Sequence, residues 1–136
     1  MSSSCYEQPV RLLFHPALSD ISVEGILYAL SDPVRAKIYA ELATSECALT
    51  CSDVRKLVNS TLPKATLSQH FKILREAGLV HSERKGVEMH NTTRRAELEE
   101  RFGDMLSAIL NTYSDQNSRR PAFRRAQARM GASSRA

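Results

Sequence analysis

The residues of this chain best placed to do chemistry lie in Pro63-Lys-Ala-Thr-Leu-Ser-Gln-His-Phe-Lys-Ile-Leu-Arg-Glu-Ala-Gly-Leu79. Leu67, Phe71 and Leu74 recur at four and three residues, the spacing of one inward stripe on a helix. The opposite side carries Ala65, Gln69 and Lys72, flanked by Lys64, Thr66 and Ser68, and no acidic residue appears until Glu76. Short hydroxyls and an amide between lysines offer donors and acceptors on a positive background. That chemistry suits the base edges of a major groove rather than the making or breaking of bonds. An ordinary amphipathic helix with a solvated outer face has the same periodicity, so the flanking elements must decide.

Pro63 suits a first helical turn, and Gly78 stands where a left-handed C-terminal cap belongs. Upstream, Thr50-Cys-Ser-Asp53 has capping-box spacing and opens a short helix with Val54, Leu57 and Val58 on one face. Downstream, Val80–Arg84 and Val87–Asn91 flank Lys85-Gly86, which reads as a tight hairpin because glycine accepts a positive φ. Ser19 or Asp20 caps an earlier helix with Val23, Ile26, Leu27 and Leu30 inward, and Asp32-Pro33 starts another with Val34, Ile38 and Leu42 inward. After the hairpin, Leu98, Phe102, Met105, Leu106, Ile109, Leu110 and Tyr113 fall on a single long helix. The expected fold is mainly α with a small β-hairpin, in the order αααα-ββ-α: a winged helix-turn-helix.

Ser31-Asp-Pro-Val-Arg-Ala-Lys-Ile38, Thr66-Leu-Ser-Gln-His-Phe-Lys-Ile-Leu-Arg-Glu-Ala-Gly-Leu-Val80 and the hairpin after them resemble the ArsR/SmtB family of bacterial transcriptional repressors, over residues 20–114. The resemblance implies a homodimer on double-stranded operator DNA, joined through its first and last helices. It also implies that Arg35 and Lys37 approach the DNA backbone or brace the reading helix, a plain surface role being the alternative. In such a complex Gln69 is the candidate for a bidentate contact to adenine. Thr66 and Ser68 would meet base edges, thymine methyls or phosphates, with Ala65 on the same face. Lys64, Lys72, Arg55 and Lys56 would hold the backbone, and Arg84 and Lys85 would reach phosphates or a minor groove from the wing. His70 lies beside the inward stripe, where packing or a phosphate contact fits better than base reading.

Charge follows the same division. Residues 1–53 carry three basic and seven acidic side chains, residues 54–95 nine basic and three acidic, and residues 96–116 one basic and five acidic. Six arginines and no acid follow from residue 117, giving the net +4. Positive charge therefore coincides with the reading helix and hairpin, as phosphate neutralisation needs. The expected organisation is an arm over 1–18, the domain over 19–114 and a disordered arginine-rich tail over 115–136, which either attracts phosphate or merely solubilises. The chain of 136 residues suits one domain, and no apolar run approaches a membrane span. The N-terminus lacks the apolar segment of a signal peptide, so a cytoplasmic location is expected.

Cys5, Cys47 and Cys51 are candidate sensor thiols. The family commonly releases DNA when a metal or oxidant reaches cysteine or histidine, but its Cys-X-Cys motif is missing and the last helix holds no histidine. No cofactor is expected unless the three thiols gather a thiophilic ion. Alternatively, Cys51 in a first helical turn would have a lowered pKa and react with oxidants, or all three are small fillers. No enzyme motif is visible. The competing reading is a winged helix that meets an acidic protein partner, which leaves the cluster of Thr66, Ser68 and Gln69 unexplained.

Overall fold

The computed structural model describes residues 13–58 and 61–133, with side chains described as far as residue 119. Helix α1 (Val23–Leu30) is capped by Ser22, whose hydroxyl accepts the Gly25 N–H at 3.0 Å. The cap falls later than Ser19 or Asp20 because Leu18–Asp20 forms a 3₁₀ turn of its own. Asp32 caps α2 (Pro33–Thr44) by accepting the N–H groups of Val34 and Arg35, with Pro33 in the first turn. Ile26 and Leu30 are buried, as are Ile38 and Leu42, but Val23 and Leu27 of the expected inward stripe face outward.

Arg35 is also buried rather than on the surface. Its Nε donates to the Ala29 carbonyl at 2.7 Å and one Nη to the Tyr28 carbonyl at 3.2 Å. These are last-turn carbonyls of α1, the second of which also accepts from Ser31, so Arg35 braces the end of α1 and not the reading helix. Lys37 remains exposed.

Strand β1 (Leu49–Thr50) leads directly into α3 (Cys51–Val58). The expected capping box is formed: Asp53 accepts the Thr50 N–H at 3.0 Å and Thr50 accepts the Asp53 N–H at 3.1 Å. Helix α4 (Lys64–Glu76) follows and ends in a Schellman cap, with Gly78 N–H donating to Arg75 and Leu79 N–H to Leu74. Gly78 has φ +86°, and a Cβ there would lie 2.4 Å from the Ile21 side chain. No other residue fits both conditions.

Strands β2 (Val80–Lys85) and β3 (Glu88–Thr93) form the wing, and β1 adds to β3, making three antiparallel strands instead of a bare hairpin. Lys85 pairs with Glu88, so the two loop residues are Gly86 and Val87, one position beyond the expected Lys85-Gly86. Gly86 has φ +66°. Ser82 and Asn91 are buried opposite each other, the Ser82 hydroxyl donating to Asn91 at 2.6 Å. Asn91 in turn donates to the Leu49 carbonyl at 3.1 Å, which ties β1 to the wing.

The expected single long helix is two. Gly103, at φ +62°, separates α5 (Arg95–Phe102) from α6 (Met105–Ser133). Helix α6 packs on α2 and α5 through Leu106 and donates the Tyr113 hydroxyl to the Leu30 carbonyl. It then runs through residues 117–133, where a structureless tail was expected. Arginine, alanine and glutamine are good helix formers, so loss of apolar periodicity there did not mean loss of helix. No helix among the described residues is long and apolar enough to cross a membrane.

Candidate nucleic-acid interface

The buried stripe of α4 fixes what its other side presents. Leu67, Phe71 and Leu74 are each at most 1% exposed, anchoring the helix in the core. Lys64, Ala65, Thr66, Ser68, Gln69 and Lys72 are all exposed on the outer side. Pro63 is the N-cap and offers no side-chain acceptor to the first-turn N–H groups of α4. A helix start in that state, beside Lys64, attracts phosphate oxygens. Backbone anchoring and base-edge chemistry thus share one rigid rod.

The wing stands across a cleft of about 660 Å³ from the N-terminal half of α4. Lys64 and Ser68 line it from the helix, Arg84 and His90 from the wing, and Arg75 from the floor. The Arg75 Nη lies 3.4 Å from the Ser82 hydroxyl, joining α4 to the wing. Arg84 and Lys85 are exposed on the wing, and at its turn Val87 is 97% exposed. Val87 was not singled out from sequence, although an apolar residue directly after a turn glycine was a visible signal. Such a tip can wedge against sugars or bases where charged neighbours hold it on the backbone.

Two expected contacts fit less well. Arg55 is half-buried, and its Nε is buried with no partner among the described residues, while Lys56 beside it is exposed. His70 is half-buried with an unpartnered, buried Nδ1, which takes it off the reading face. The exposed polar face of α4 is therefore carried by Ala65, Thr66, Ser68, Gln69 and the two lysines.

The arm meets the other side of the wing. His15 Nε2 accepts the Ser82 N–H at 3.0 Å, its ring stacks on His81 at 4.4 Å, and Arg94 donates to the Pro16 carbonyl at 2.6 Å. Burial, and then the charges of His81, Arg75 and Arg94, hold the His15 pKa below its ordinary 6.5.

Cys5 lies outside the described residues, Cys47 is exposed, and Cys51 is half-buried with the Asn91 amide 3.9 Å from its sulfur. Burial raises the Cys51 pKa despite its place at the start of α3, the reverse of the expected activation. Among the described residues, no group of three or more His, Cys, Asp or Glu side chains is placed to hold a metal ion.

Residues 30–83, from the end of α1 into β2, match the family model of a helix-turn-helix domain. Among solved structures, the chain is similar to an ArsR-like transcriptional regulator from Rhodococcus sp. RHA1, with 24% identity and a TM-score of 0.48. That likeness covers 77% of this chain and 91% of the other. It is also similar to NolR from Sinorhizobium fredii, with 24% identity and a TM-score of 0.46, over 59% of this chain and 83% of that one. No curated protein matches the chain.

Proposed function

We propose that this chain is an ArsR-type transcriptional regulator that binds duplex operator DNA as a homodimer and represses. One observation carries the reading. The exposed side of α4 is wholly polar or small, basic and acid-free over two turns, while its other side is locked in the core. That combination gives a rigid probe for a major groove. Thr66, Ser68 and Gln69 address bases, and Lys64, Lys72 and Lys56 address phosphates. Arg84 and Lys85 hold the wing on the flanking backbone, with Val87 at its tip.

Pairing is supported by a different surface. Val23, Leu27 and Tyr28 of α1 are 44%, 51% and 63% exposed, an apolar group that one copy leaves in water. Beside it, Ile109, Tyr113 and Pro33 line a groove of about 450 Å³ between α6 and the α1–α2 turn. A second copy covering both would set two α4 helices on one face, suited to half-sites about 34 Å apart. Of the two described thiols, Cys47 is the one open to a thiol-directed signal, because Cys51 is half-buried and burial raises its pKa. Alkylation followed by mass spectrometry should find Cys47 modified well before Cys51; equal rates would remove this ordering.

The direct test is a gel shift with the duplex upstream of the chain's own gene against a scrambled duplex. Specific retardation supports the reading, and no retardation of any duplex at low ionic strength overturns it. An acidic protein partner is the competing assignment; the lysines of α4 suit both, and the cluster of Thr66, Ser68 and Gln69 favours DNA.

A further inference from the structure

A cavity of about 420 Å³ opens between α2, α5 and α6 and shares no lining residue with the wing cleft. Its walls divide by chemistry. Ala43, Leu106 and Leu110 form an apolar side, while Tyr39, Arg95 and Asn111 supply polar groups. Tyr39 is 1% exposed, yet its hydroxyl is buried without a partner among the described residues. A buried hydroxyl left unpaired costs free energy, and native structures rarely leave one without a protein group, water or ligand.

Burial pushes the pKa of the phenol up to about 12, with smaller opposing effects of the Arg95 and Glu99 charges, so at neutral pH it is a hydrogen-bond donor. Arg95 gives its Nε to Glu99 at 2.7 Å, the one hydrogen bond it makes among the described residues. Arg95 lines the same cavity, and its other guanidinium nitrogens are further donors. Two donor groups and aliphatic carbons in one cavity define the complementary molecule. It needs a compact acceptor head, best an anion, and an apolar body.

We infer that this cavity is a binding site for a small monocarboxylic acid, its carboxylate between the Tyr39 hydroxyl and Arg95 and its apolar body against Ala43, Leu106 and Leu110. The site lies off the reading face and can be examined without DNA, so it stands or falls independently of the regulator reading.

Benzoate, hexanoate and the neutral isostere benzamide serve as probes on the full chain, followed by calorimetry and amide chemical shifts. Benzoate or hexanoate should bind in the millimolar range or better and shift resonances of the α2, α5 and α6 residues around the cavity. Benzamide should bind about tenfold more weakly, because it loses the charge-assisted bond. Tyr39→Phe should leave the melting temperature unchanged or raised, since it removes an unpaired group, while weakening benzoate severalfold. Asn111→Trp, at an exposed rim position, should block the mouth and abolish binding while the fold persists. The inference is overturned if neither carboxylate binds or if benzamide binds as well as benzoate. It is equally overturned if Tyr39→Phe binds benzoate unchanged, which would leave the hydroxyl to an ordered water alone.

Discussion

Helices α1 and α4 are both short, both anchored by three buried residues, and both turn a face to water, but the two faces are opposites. On α4 the outward side is Lys64, Thr66, Ser68, Gln69 and Lys72. On α1 it is Val23, Leu27 and Tyr28. Exposed polar groups on a rigid rod lose little by staying in water and gain specific partners in a groove. Exposed aliphatic side chains gain only by being covered. On the proposed reading the contrast separates two tasks on one small domain: α4 would meet nucleic acid, and α1 with α6 would meet a second copy.

Breaking the apolar side should have the largest effect. Leu27→Glu should convert a dimer to a monomer in light scattering and lower operator affinity about 100-fold or more, because two linked half-sites become one. A monomeric wild type would erase the division drawn above. On the polar side, Gln69→Ala should cost about 1–3 kcal/mol on the cognate duplex and relax preference at one base pair per half-site. Equal losses on cognate and scrambled duplexes would make Gln69 a backbone contact. Arg84→Ala should weaken all sequences alike and reduce the salt slope by about one unit per wing. A loss confined to the cognate sequence would instead give Arg84 a reading role.

The smallest effect concerns the arm. Only a neutral imidazole can accept the Ser82 N–H at Nε2, and the folded pKa of His15 lies below 6.5. Between those two values the unfolded chain binds a proton that the folded chain refuses. The contact therefore stabilises fully above 6.5 and is lost as pH falls through the folded value. Melting curves on either side of that window should show a modest acid-side decline, and His15→Asn should flatten it. An unchanged decline in the variant would assign it to other groups.

Much of this was legible beforehand, for reasons that can be named. The α4 stripe, the Thr50–Asp53 box, the Asp32 cap and the Gly78 turn are local patterns, and local hydrogen bonding or periodicity decides them. Strand β1 was not legible because two residues carry no alternation. The break at Gly103 was hidden by a stripe that continues in phase across it. Arg35 was misjudged because the α1–α2 turn brings the Ala29 and Tyr28 carbonyls to its guanidinium, and Cys51 because burial by packed segments outweighs its place at a helix start. The charge map coincides with the exposed polar side of α4, but it could not say that Arg55 and His70 turn partly inward.

A hydroxyl-radical footprint on the bound upstream duplex tests the central claim most directly. Paired α4 helices entering successive major grooves predict two protected segments of similar strength, centred about one helical turn apart. A single protected segment, or uniform protection without a period, would contradict the account.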